Sequence, residues 1–380
     1  MAAPPRPRAA RSITACFDGP QTLGRGPLFW ICVAGLVALM ALVPEFVSRY
    51  QLISFSNFLI SGLLALSLCL IWGYCGILSL GQSAFFCIGG YAYGVLAINL
   101  ISTQGNTHVA LLGGILVPCL AAIVIGAVLF YSRIRGVTIA ILMLVLSLLL
   151  GLFMRQTADP FYTIGAAALG GMNGLRPASP SDPLLPSLIF GFGGNVLELD
   201  GRSVAFYYFM LAVVVVVFLA LRWFVNSTWG YVFLGVREDP ERTEAFGYDV
   251  RLVQLVAFAI SAALAGLSGT LYTAWGTFIH PDGFSVAPNI LVVIWVAVGG
   301  RKDLGSALLG AFVLNWLSLW LTQYGEYSMF VLGAILIASM LVAPDGVFYT
   351  LGKAIEKRFG RLRGRTAPVR APDKERRHAV

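Results

Sequence analysis

The chain has 380 residues, 58% of them apolar and only 12% charged, with a mean hydropathy of +0.81. A soluble globular domain is about half apolar and about a quarter charged, so the composition excludes one and predicts an all-α, polytopic helical membrane protein. The net charge of +8 does not point to nucleic acid, because the basic residues cluster at the termini and in a few loops, where they set orientation and meet membrane lipid headgroups.

Residues 1–27 are rich in Pro, Ala and Arg and read as a disordered basic tail. The apolar run 28–44 follows without a convincing small-residue cleavage site, so it reads as an uncleaved anchor helix. It opens a membrane domain over residues 28–349 with about ten transmembrane segments: 28–44, 53–72, 82–101, 109–131, 136–154, 204–221, 253–276, 287–300, 304–322 and 328–349. The segment 287–300, "APNILVVIWVAVGG" with its neighbours, is short for a crossing and reads as a half-helix or tilted piece.

Between the second and third spans, "GYCGILSLGQSAFFCIGGYAYG" carries six glycines and a lone glutamine. Gly73, Gly76 and Gly81 flank a polar break near 73–82. Non-helical backbone at membrane depth survives only inside protein or along a water-filled cavity. The break therefore predicts a substrate pathway presenting Ser79, Gln82 and Ser83, with Phe85 and Tyr91 lining or narrowing it. Gly81, Gly89, Gly90 and Gly94 read as helix-packing positions, Gly90 and Gly94 at the small-xxx-small spacing.

The segment 155–203 is crowded with Gly, Pro, Ser and Asp and is predicted to be a mostly irregular loop, with Asn173 placed to meet substrate. In the loop 225–252, "GVREDPERTEAFGYDV" places Asp239 as an N-cap, Pro240 at the first helical position, Glu241 at the positive end of the dipole and Gly247 at the C′ position. A helix of about two turns results. Residues 350–380 form a second basic tail. If both termini are cytoplasmic, 22 of the 26 Lys/Arg face that side, as the positive-inside rule requires. The loop 155–203 is then periplasmic and 225–252 cytoplasmic.

Apart from Asp345 near the end of the last one, the ten spans contain no Asp, Glu, Lys, Arg or His, which disfavours proton coupling. Phosphate-loop, zinc-protease and nucleophile-elbow motifs are absent. The six cysteines have no paired or metal-ligating spacing, so neither metal nor cofactor is expected, and the chain does not read as an enzyme. Such a transporter must draw power from another chain, unless it is a passive channel or facilitator.

Three blocks, "IWGYCGILSLGQSAFFCIGGYAYG", "GVREDPERTEAFGYD" and "VIWVAVGGRKDLGSALLGAFVLNWL", resemble in order and spacing the permease subunits of bacterial ABC importers for branched-chain amino acids and urea. The first block, "GGMNGL" and "IWVAVGGR" look most like the urea branch. The resemblance implies a bacterial inner-membrane subunit pairing with a homologous second permease, two cytoplasmic ATPase subunits and a periplasmic substrate-binding protein. It also implies that Arg237, Glu238, Asp239, Pro240, Glu241, Arg242, Glu244, Phe246 and Gly247 form the coupling element that docks into an ATPase. Urea is the expected solute, because the polar break offers neutral donors and acceptors; branched-chain amino acids are the alternative. A faint echo of "LGQSAFFCIGG" in "LGSALLGAF" is compatible with an inverted repeat.

Overall fold

The computed structural model describes residues 17, 19, 21–24, 27–132, 134, 136–158, 161–177, 185–192, 195–321 and 327–362. In chain order the helices are α1 (Pro27–Phe46), α2 (Arg49–Leu68), α3 (Gln82–Gln104), α4 (His108–Tyr131), α5 (Val137–Gln156), α6 (Val204–Val225), α7 (Thr228–Glu238), α8 (Pro240–Ala245), α9 (Val250–Gly276), α10 (Val286–Gly299), α11 (Leu304–Leu321), α12 (Tyr327–Val342) and α13 (Val347–Leu362). Eight of them, among the described residues, are long and apolar enough to cross a membrane. The shorter apolar helices α10 and α12 complete the ten predicted segments. At about 1.5 Å per residue, the 14 residues of α10 reach about 21 Å, short of a hydrocarbon core of about 30 Å.

Helices α2 and α9 form the centre. The second half of α2 is buried almost residue by residue, and α9 packs against α2, α3 and α4. Small residues make this approach possible: Ala262, Ala265, Gly266 and Gly269 on α9 let neighbouring backbones close in. A Cβ on Gly89 would lie 2.5 Å from the Gly266 backbone and 2.7 Å from the Gly114 carbonyl, so α3, α4 and α9 meet there without side chains between them. Gly90 also faces α9, beside Thr273. Gly94 does not pack on a helix as its spacing predicts; it lies against Leu175 and Leu185 of the 157–203 loop.

One end of the bundle carries Arg222, Arg237, Arg251, Arg301 and Lys302 and is called the basic end; the other carries the 157–203 loop. That loop is more ordered than its composition predicts. Strands β1 (Thr163–Ile164), β2 (Ala167–Ala168) and β3 (Arg176–Pro177) form one small antiparallel sheet, and β4 (Leu188–Phe192) pairs with β5 (Asn195–Leu199) in a hairpin. Helix ends hold both sheets. Asn99 donates to the Ile164 carbonyl and accepts from the Ala166 amide, and Thr107 exchanges hydrogen bonds with Ile189 through its backbone amide and hydroxyl. The described part of the apolar stretch, residues 185–192, thus folds onto the bundle, with Leu185 and Leu188 buried.

Three further features depart from the sequence reading. The last predicted span stops at Val342; Pro344 and Gly346 (φ +102°) turn the chain into α13, and Lys302 pairs with Asp345 at 2.5 Å, its hydrogen bond and charge holding that carboxyl below the usual carboxylate range. Helix α7 occupies a stretch predicted only as loop. Arg222, expected in the basic-end loop, is a buried residue in the last turn of α6.

The partners of Arg222 come from the segment expected to be disordered. Its guanidinium donates to the carbonyls of Phe17, Leu23 and Gly24 and stacks over the Phe29 ring at 4.2 Å. Residues 1–16 lie outside the described residues. Hydrogen bonds to a charged donor are each worth about 1.5–3 kcal/mol. Arg222→Ala is therefore expected to cost at least about 2 kcal/mol, read as a lower melting temperature of the detergent-purified protein; an unchanged melt would show that the segment contributes nothing.

Candidate functional site

Helix α2 does not end cleanly. Its last residues widen into a π-helical turn, Cys69–Tyr74, and residues 75–81 then run without helix until α3 begins at Gln82. Gly76 at φ +79° is the residue that reverses the chain, a conformation that side chains disfavour. The segment starts beside Arg237 and Arg301 at the basic end and reaches Met143 of α5, whose carbonyl lies 2.6 Å from where a Gly81 Cβ would sit. The break predicted near 73–82 is therefore a chain segment re-entering the bundle.

A second irregular segment enters from the opposite end. Residues 277–285, non-helical apart from a 3₁₀ turn at Pro281–Phe284, descend from the loop end into α10. Arg155 pairs with Asp282 near the mouth at 2.9 Å, and Ser147, about 12 Å along α5, donates to the Phe284 carbonyl at 2.8 Å. The two segments meet at Ser83 and Asn289. The Ser83 amide donates to Asn289 Oδ1 (3.0 Å), its hydroxyl donates to the Gly283 carbonyl (2.6 Å), and Asn289 Nδ2 donates to Ser147 Oγ (3.0 Å) and the Ser285 carbonyl (2.9 Å).

Gln82 is bound on the other side of α3. Its Nε2 donates to Ser67 Oγ (2.9 Å) and Ser261 Oγ (2.8 Å), while those hydroxyls donate onward to the carbonyls of Leu64 and Ser67. Because both serines already use their protons, the amide orientation is fixed, and Gln82 Oε1 is left buried with no partner. The Tyr91 hydroxyl is likewise buried and unpartnered, its ring stacked on Phe284 at 6.2 Å. An unmet buried polar atom costs about 1–3 kcal/mol, which marks both as groups able to accept a new partner.

The structure separates the residues expected to share one pathway. At about 100° per residue, Gln82 and Tyr91 lie on opposite faces of α3. Gln82 and Phe85 face α9, Phe85 meeting Phe258 edge-on at 5.2 Å, whereas Ser83 and Tyr91 face the 277–289 segment. Ser79 is fully buried and accepts from the Gly81 amide. Asn173 is exposed in a 3₁₀ turn at the loop end, away from the others. Ser67, Ser147, Ser261 and Asn289 were not anticipated. Their available signal was slight: each is flanked on both sides by apolar residues, and Asn289 sits in the span singled out as short.

At the basic end, α8 is a six-residue helix whose start and finish match its sequence signals. Asp239 Oδ1 accepts from the Arg242 amide at 3.0 Å, Pro240 occupies the first position, and Gly247 follows Phe246 at φ +89°. Its outer surface is bare: Glu241, Arg242, Glu244 and Gly247 are exposed, and Phe246 is 76% exposed. Arg237 behaves differently from its neighbours. It turns inward, donating from Nη1 to the Gly73 carbonyl while holding Glu238 through Nε and Nη2; that bond and charge keep the Glu238 carboxyl below the usual range. A cleft of 240 Å³ opens beneath α8, lined by Cys75, Ile77, Arg237, Glu244, Arg251 and Gln254 among others.

Comparison with known sequences places this geometry in context. The family described as "Branched-chain amino acid transport system / permease component" matches residues 50–340. The chain is 26% identical over 348 residues to the high-affinity branched-chain amino acid transport system permease protein LivM of Escherichia coli (strain K12), covering 87% of this chain and 78% of that protein. It is 23% identical over 285 residues to the probable LivM permease of Methanocaldococcus jannaschii, covering 71% of this chain and 81% of that protein. A 133-residue stretch is 26% identical to the probable LivH permease of the same archaeon, covering 32% and 41%. No solved structure matches.

Proposed function

The chain belongs to the branched-chain amino acid transport system permease family, and from that membership we propose that it is one membrane-spanning subunit of an ATP-driven importer of branched-chain amino acids. Its partners in this reading are a homologous second permease, two cytoplasmic ATPases and a periplasmic binding protein, with the basic end cytoplasmic. The matches to permeases named both LivM and LivH support a paired permease. The charge distribution supports the orientation.

The observation that carries the mechanism is the meeting of two irregular segments from opposite ends at Ser83 and Asn289. Broken helices meeting near mid-membrane are how transporters build a solute site that opens alternately to each side. In this reading the structure is a closed state: Gln82 spends its donors on Ser67 and Ser261, Ser83 and Asn289 bond each other, and parting α3 from α9 and α10 releases them to solute. Gln82 Oε1 and the Tyr91 hydroxyl, unpartnered when closed, are the first atoms to gain a contact.

Urea, the solute expected from sequence, has no support among the matched relatives. It stays as a second reading for one reason: Ser67, Ser83, Ser147, Ser261, Gln82 and Asn289 include no ionised group, which suits a neutral amide. Radiolabelled leucine uptake by cells expressing the complete transporter separates the two. Branched-chain import requires that unlabelled isoleucine and valine compete and urea does not; the reverse order establishes the urea reading.

A further inference from the structure

The loop joining α6 to α9 is bare outside and bonded to the re-entrant segment inside, and Arg237 is where the two surfaces join. Only 24% of its side chain is exposed. The guanidinium reaches the Gly73 carbonyl in the π-helical turn, and its Cγ lies so close to Gly76 that a Cβ added there would be 2.7 Å away. The opposite side of the turn is fixed as well. The Arg301 carbonyl fills the space where a Gly73 Cβ would stand, and the Tyr74 hydroxyl donates to the Lys302 carbonyl. The turn is thus gripped between the α7–α8 connection and the α10–α11 connection. Beyond it, residues 75–81 have no helix of their own before Gln82 and Ser83 bind α2, α9 and α10.

We propose that Arg237 is a positioning residue that carries displacement of α8 to the Gly73 carbonyl, and through residues 75–81 to the Gln82–Ser83 junction. This rests on the reading of the chain as a subunit moved by an ATPase. A planar guanidinium can hold a carbonyl and a carboxylate at fixed directions together, and a lysine ammonium cannot reproduce that fork. Arg237 consequently acts inward, and contact with a partner falls to the exposed residues of α8.

The test compares Arg237→Lys with the wild type in the complete transporter reconstituted in liposomes, reading ATPase co-purification, ATP hydrolysis and solute uptake on one preparation. The expected result for Arg237→Lys is co-purification and hydrolysis within twofold of wild type, with solute moved per ATP reduced at least tenfold. A second reading uses native Cys75, which lies in the re-entrant segment and is buried. Its maleimide labelling, followed by mass spectrometry, should change on ATP addition in wild type and stay constant in Arg237→Lys. An unchanged transport-to-hydrolysis ratio overturns the proposal, as does a proportional fall in co-purification, hydrolysis and uptake, which would make Arg237 a docking residue. If the wild-type assembly shows no ATP-dependent uptake, the reading of the chain falls and takes this proposal with it; a failed ratio with intact wild-type transport overturns the proposal alone.

Discussion

Gly89→Ala is expected to lose about 3 kcal/mol or more, at the top of the range for overpacking, and to collapse the yield of folded protein. The new methyl would stand 2.5 Å from the Gly266 backbone and 2.7 Å from the Gly114 carbonyl, and none of those atoms can rotate aside. Relief requires α3, α4 and α9 to separate, which opens the centre of the bundle. Gly35→Ala supplies the control, because a Cβ there meets nothing within 4 Å. Gly94→Ala should fall between them, since its neighbour is the end of the Leu175 side chain, which can move. Heat-induced loss of monodisperse protein in detergent measures all three. Equal midpoints for Gly89→Ala and Gly35→Ala would show that the helix crossing has room for a methyl group.

The double substitution Glu241→Lys, Glu244→Lys is expected to leave the fold intact and to abolish ATP-driven uptake. Both carboxylates are exposed, so the bundle loses no packing; Glu241 gives up only its interaction with the α8 dipole, a few tenths of a kcal/mol. The outer surface of α8 changes from mixed charge to strongly basic. Reversing two contact charges on a docking surface weakens binding by about ten- to a hundredfold, about 1.4 kcal/mol for each factor of ten. Uptake should fall more than tenfold and ATPase co-purification with it, while the melting temperature holds. Undiminished transport in this variant, or solute flux in vesicles lacking any ATPase, would favour a passive pore.

What the sequence disclosed was what neighbours in the chain decide. The apolar runs located the spans because a lipid-facing helix must be apolar over its whole length. Asp239, Pro240 and Gly247 located α8 because caps are local chemistry. The polar break was legible in "LSLGQS" for the same reason. Contacts between distant residues were not legible. Gln82 and Ser261 are separated by 179 positions and Ser83 and Asn289 by 206, and nothing in the sequence around either residue names its partner. Arg222 was misplaced because its carbonyl partners lie some 200 positions upstream. The end of the last span was a different kind of miss, since Pro344 and Gly346 marked the turn and the apolar run overrode them.

The moorings of α1 set an order on biosynthesis. This helix contributes no buried residue across its apolar window, and its neighbours touch it from far along the chain: the Tyr207 and Tyr208 hydroxyls donate to the Met40 and Ala41 carbonyls, and Arg222 clasps the residues just before it. Helix α1 therefore lacks these hydrogen-bonded moorings until α6 has been threaded, and until then it rests on its few contacts with α2. A nascent chain stalled before residue 207 holds α1 by its contacts with α2 alone, and during that interval the helix is open to capture by any other apolar surface in the bilayer.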